Sequence, residues 1–136
     1  MCLDTFEDLA ATKVFMCWWE DTQTEEQIKT LIDTNGKYMS ILEKHLSKHS
    51  DWKYFAGNEL TIADFRLLGH VYGIARNEIK KIPAINDGLN AQLANYPLLT
   101  AYIDRLAEQF SDYIATRPKL EGYWKTVDLL RIIICN

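Results

Sequence analysis

The 136 residues contain no internal repeat, no low-complexity stretch, no interdomain linker and no convincing strand pattern before residue 126. Repeat arrays and β-rich folds are excluded for nearly all of the chain, which leaves a single helical domain. No apolar run approaches the ~20 residues that a membrane-spanning helix needs. Positive charge is also short: 15 Lys and Arg against 19 Asp and Glu give a net charge of −4. The basic residues are dispersed, so no stripe exists to neutralise phosphates, and nucleic acid is not an expected partner. Only three cysteines occur, Cys2, Cys17 and Cys135, an odd number with no short pairing. With no secretory leader in the sequence, a reducing, cytoplasmic setting is expected. Cys17 falls on an apolar face, Cys2 and Cys135 are terminal, and none has a base at a spacing that supports nucleophilic catalysis.

Apolar residues make up 48% and charged residues 25% of the chain, the balance of an ordinary globular domain. A chain of this length buries roughly two thirds of its unfolded surface, enough for one core without disulfide or metal. From Leu3, apolar residues recur at Phe6, Leu9, Ala10, Val14 and Cys17, the spacing of one helical face, and this first helix ends near Trp18 and Trp19. Thr24-Glu25-Glu26-Gln27 then reads as a capping box that opens a second helix. Ile28, Leu31, Ile32, Met39, Leu42 and Leu46 carry its period to about Ser47, with Gly36 marking close packing or a bend.

Tyr54 to Glu59 reads as a turn, followed by Leu60-Thr61-Ile62-Ala63-Asp64-Phe65. Thr61 is placed as an N-cap, Asp64 returns a bond to its amide, and Leu60 and Phe65 occupy the two positions of a hydrophobic staple. The helix that follows, through Leu67, Leu68, Val71, Tyr72, Ile74, Ala75 and Ile79, is apolar nearly all round, which predicts a central, buried helix. Pro83, Asn86, Asp87 and Gly88 read as a loop ahead of a short helical piece over 89–94. Pro97 suits the first turn of a further helix with apolar positions Leu98, Leu99, Tyr102, Ile103, Leu106 and Phe110. Residues 111–116 form a short last helix stopped by Pro118. The fold class is all-α, a bundle of five to six helices over residues 1–125, with an apolar tail over 126–136 that reads equally as a strand or a docking segment.

The run from Tyr54 to Phe65, a Gly-turn leading into a capped buried helix, resembles the hallmark of glutathione-transferase C-terminal domains. Asn95-Tyr96-Pro97-Leu98-Leu99-Thr100-Ala101-Tyr102 is similar to that family's next helix start. Asp112-Tyr113-Ile114-Ala115-Thr116-Arg117-Pro118 is similar to its closing segment, and Asp4 to Leu9 looks like the middle of the first long helix of that half in sigma-class members. The resemblance covers about residues 3 to 120. It implies a thioredoxin-like domain, absent from this sequence, that carries the thiol-activating hydroxyl and nearly all contacts to glutathione. No catalytic residue is therefore assigned, and glutathione is expected as co-substrate only if such a domain is supplied.

Asp4, Glu7 and Asp8 place three carboxylates on one helical patch, an arrangement that also suits the acidic first turn of a helix. The resemblance implies that Asp8 reaches a partner's glutathione across a dimer, and that the same trio can hold a cation on the dimer axis. It likewise implies that Phe15, Met16 and Trp18 wall an apolar co-substrate pocket, whereas aromatic residues at this spacing also make plain core. Trp18 and Trp19 cannot both face inward, which leaves one for a partner. His45 and His49 are one turn apart without an evident third ligand or a His-Glu-x-x-His pattern, and His70 reads as a hydrogen-bonded core histidine. Two functions follow: a protein-binding or structural subunit, as a homodimer or with another protein, or a fragment or relative of a sigma-like transferase that conjugates glutathione to apolar electrophiles.

Overall fold

In a computed structural model, residues 24–80 and 82–119 are described. They form α1 (Glu25–Lys48), α2 (Ile62–His70), a π-helical turn (Val71–Ala75), α3 (Pro83–Leu93), α4 (Pro97–Gln109) and α5 (Ser111–Thr116). The first helix expected from Leu3 and the tail from 126 lie outside the described residues. No described helix is long and apolar enough to cross a membrane.

Local signals account for the start of α1. The Gln27 amide donates to the Thr24 hydroxyl at 3.2 Å, and the Thr24 amide donates to the Gln27 side chain at 2.9 Å, so two orphan donors are satisfied reciprocally. Its inner face reads Leu31, Asn35, Met39 and Leu42, a helical stripe with one polar member. It packs on α3 and α4, while α2 packs on α4 and the π turn on α3. The larger core joins Met39 and Leu42 to Leu67, Leu68 and Val71 of the central helix and to Leu99, Ile103 and Leu106 of α4. A smaller one gathers Leu31, Ile74, Ile85 and Leu89.

A polar seam holds α1 to α3 and the segment after it. Asn35 donates to the Gln92 side-chain oxygen at 2.8 Å, Gln92 donates to the Ile32 carbonyl at 2.7 Å, and the Tyr96 hydroxyl donates to the Gly36 carbonyl at 2.9 Å. Gly36 permits this approach, because a Cβ there would sit 2.5 Å from Gln92 Nε2. Close packing, of the two roles expected for this glycine, is the one observed.

The loop expected over Pro83, Asn86, Asp87 and Gly88 is instead the first two turns of α3. Pro83 takes the first helical position, where a missing amide hydrogen costs nothing. Asn86 is fully buried and donates to the Ile74 carbonyl at 2.6 Å, and an added Cβ at Gly88 would meet Ile32 Cδ1 at 2.4 Å. Residues that favour turns in isolation are here packing and capping groups. Likewise, the central helix stops before Ile79, which is 37% exposed. Its last turn is π, with the Arg76 amide bonded to the Val71 carbonyl at 2.8 Å, and three successive carbonyls beyond it are taken by side chains. Arg117 donates to Tyr72 at 2.5 Å, Asn77 to Gly73 at 3.0 Å and Asn86 to Ile74, which satisfies the orphan acceptors of a helix end.

His70 is buried in this helix, and burial pushes its imidazole from 6.5 down to about 4. The folded value lies below the unfolded one, so the unfolded chain takes the proton first. Stability is therefore unaffected above about pH 6.5 and is lost as pH falls toward 4. At pH 5 the loss from this group is about 2 kcal/mol. Urea midpoints at pH 7.5 and pH 5 should show a shallower fall in a His70→Gln chain than in wild type; identical slopes would refute the assignment.

Candidate functional site

The start of α2 is built around a buried carboxylate. Asp64 is 1% exposed and occupies the third helical position after Thr61 in a capping box. Its Oδ2 accepts from the Thr61 amide at 2.9 Å, and the Asp64 amide donates to the Thr61 carbonyl at 3.1 Å. Oδ1 accepts from the Phe55 amide at 3.1 Å and from the Tyr102 hydroxyl, which in turn accepts from the same Phe55 amide at 2.9 Å. A buried charge is tolerated only when such donors replace its lost hydration. One side chain thus ties the turn, the helix start and α4 together. The turn is closed by paired bonds between Tyr54 and Gly57, and Gly57, at φ 137°, holds a conformation that favours glycine. Arg105 of α4 lies over the Tyr102 ring at 5.1 Å and donates to the Lys53 carbonyl.

Beside this cap the outer face of α2 forms an open apolar groove with α5, about 290 Å³ in volume. Phe65, Gly69 and Tyr72 form one wall; Phe110, Tyr113 and Arg117 form the other. Phe65 is 48% exposed and meets the Phe110 ring at 5.2 Å, and Tyr113 is 63% exposed. Leu60, the other position of the expected staple, packs on the larger core. Arg117 closes one end with its guanidinium 5.9 Å from the Tyr72 ring. Arg76 flanks the same ring and pairs with Asp104 at 2.7 Å. Burial would lower the Arg76 guanidinium, but its bonds to Asp104 and Tyr72 outweigh that and hold it above its ordinary value.

This arrangement, a Gly-turn locked to a buried helix start and followed by Pro-led and short closing helices, agrees with comparison to known families. The family model described as Glutathione S-transferase, C-terminal domain, matches residues 7–126. The chain belongs to this glutathione S-transferase family. Neither curated proteins nor solved structures gave a match. The expected cap and staple residues Leu60, Thr61, Asp64 and Phe65 lie within the described residues. Asp4, Glu7, Asp8, Phe15, Met16 and Trp18 lie outside them.

The groove itself was not expected from the sequence. Phe65 and Phe110 read as inward-facing positions, and the pairing of Tyr72 with Arg117 spans 45 residues, so no local spacing signals it.

Replacing Asp64 by Ala strands the Phe55 and Thr61 amides and the Tyr102 hydroxyl in a dry site. The expected cost is about 3–5 kcal/mol, and Asp64→Asn, which keeps one acceptor, should cost less. Urea denaturation followed by circular dichroism measures both; an Ala variant within about 1 kcal/mol of wild type would contradict the network's role.

Proposed function

We propose that this chain is a protein-binding, structural subunit made from a glutathione S-transferase C-terminal domain, without a glutathione site of its own, working in the cytoplasm. The groove between α2 and α5 carries this reading. It is apolar and aromatic, and two of its large side chains, Phe65 and Tyr113, are 48% and 63% exposed. Ile62, 72% exposed at the start of the same helix, extends the apolar surface. A surface of this kind, rimmed by Arg117 and Arg76, suits a protein interface. Conjugation of glutathione needs a thiolate held near an electrophile, and the resemblance assigns the thiol-activating hydroxyl to a thioredoxin-like domain rather than to this groove.

Family membership supports a second reading, a fragment or relative of a sigma-like transferase acting on apolar electrophiles. There Asp8 contacts glutathione across a dimer, Phe15, Met16 and Trp18 wall the co-substrate site, and Asp4, Glu7 and Asp8 are candidates for a dimer-axis cation. Glutathione enters as co-substrate when a thioredoxin-like domain supplies the activating hydroxyl.

The two readings part on simple chemistry. The purified 136-residue chain should pass through glutathione-agarose unretained and should not turn over a chlorodinitrobenzene substrate; retention with turnover would sink the subunit reading. The groove is tested by Gly69→Leu and Tyr113→Asp. An added Cβ at Gly69 meets nothing within 4 Å, so Leu fills the groove without disturbing the helix. Sedimentation velocity and cross-linking of the chain in its native assembly should show lost association in both variants, with unchanged circular dichroism.

A further inference from the structure

A second feature lies at the C-terminal end of α1. His45, in the last turn of the helix, and His49, its C-cap, are four residues apart with ring centres 4.8 Å apart and planes inclined by 53°. His45 Nε2 lies 2.7 Å from the Phe55 carbonyl oxygen. A carbonyl only accepts, so Nε2 carries the proton and Nδ1 keeps the bare lone pair of the neutral ring. A ring whose one nitrogen is anchored on a backbone carbonyl while the other stays basic is the usual state of a metal-binding imidazole. No hydrogen bond to a His49 ring nitrogen occurs among the described residues. Its ring is stacked on Trp52 at 3.8 Å, and that of His45 on Phe55 at 4.4 Å, so both are held in place before any ligand arrives.

We propose that His45 and His49 together chelate a divalent transition ion of the nickel, copper and zinc class. The separation fits. With metal–nitrogen bonds of about 2.0–2.1 Å and a ring centre roughly 1.1 Å behind each nitrogen, two imidazoles on one ion at tetrahedral to right angles have centres about 4.5–5.2 Å apart. Imidazole suits this class of ion, whereas Mg²⁺ and Ca²⁺ prefer oxygen. The position at the carbonyl end of α1 adds a favourable field for a cation. No group of three or more His, Cys, Asp or Glu stands together among the described residues, so water fills the remaining positions, and exchange with a ligand from outside stays open.

The test is titration of the full chain with NiCl₂, by calorimetry and by tryptophan fluorescence, because an open-shell ion beside His49 quenches the stacked Trp52. One equivalent should bind at this pair, and His45→Gln and His49→Gln should each weaken it at least about tenfold. Cysteine thiols are common to all three chains and cancel in the comparison. The fluorescence change should vanish in Trp52→Phe while the calorimetric binding persists. MgCl₂ should give neither signal, and binding should weaken as pH falls, since protons compete for the same lone pairs. Binding unchanged in either single variant, or absent from wild type at concentrations where a His-pair peptide binds, would overturn the proposal.

Discussion

The Asp64 carboxylate is the interaction on which the rest of the molecule depends. It fixes the residue at which the central helix begins, and because that helix is buried among α1, α3 and α4, a shift of its start by one position would rotate Leu67, Leu68, Val71 and Ile74 away from their neighbours. Its partners come from three places in the chain: the turn at Phe55, the cap at Thr61 and Tyr102 in α4. The low dielectric that makes an uncompensated carboxylate costly also strengthens each of these bonds. Placement of α2 and docking of α4 are thus one event rather than two.

The same logic governs the other helix ends. α4 begins at Pro97 without a side-chain cap from Tyr96. Glu43, on α1, supplies the missing acceptors, with the Leu98 and Leu99 amides donating to its two oxygens at 3.1 and 2.7 Å. The carboxylate therefore meets the positive end of the α4 dipole. At the opposite pole, Arg117 meets the negative end of the central helix. The capping groups are borrowed across the bundle, so orientation of the helices and satisfaction of their ends are enforced by the same side chains. Among the described residues Asn86 is an incomplete member: its Nδ2 is used, while its buried Oδ1 has no hydrogen-bond partner there.

What was legible in the sequence divides along this line. Caps closed within three residues, at Thr24 with Gln27 and at Thr61 with Asp64, are written in adjacent letters and place two helices. Pro97 and Pro118 likewise bound the segments they punctuate. Asn86, Asp87 and Gly88 mislead because their local preference is a turn, whereas the bond of Asn86 to Ile74 and the packing of Gly88 on Ile32 come from other elements, and Asp87 is an exposed helical residue paired with Lys80. Glu43 and Arg117 are plain surface charges until the fold brings Leu99 and Tyr72 to them. The family was legible because its hallmark is itself a local motif, but the groove was not, since it arises only when α5 returns beside α2.

The polar seam on α1 has a temporal side. Its bonds from Asn35, Ile32 and Gly36 reach partners 57 to 60 residues downstream, and both apolar clusters also use α1 for one wall. While the chain is being made, the 24-residue helix thus leaves the ribosome well before the α3 and α4 partners of its inner face. Asn35 in the middle of that face makes the waiting stripe less adhesive than an unbroken apolar one, and the same side chain later joins Gln92 once α3 arrives.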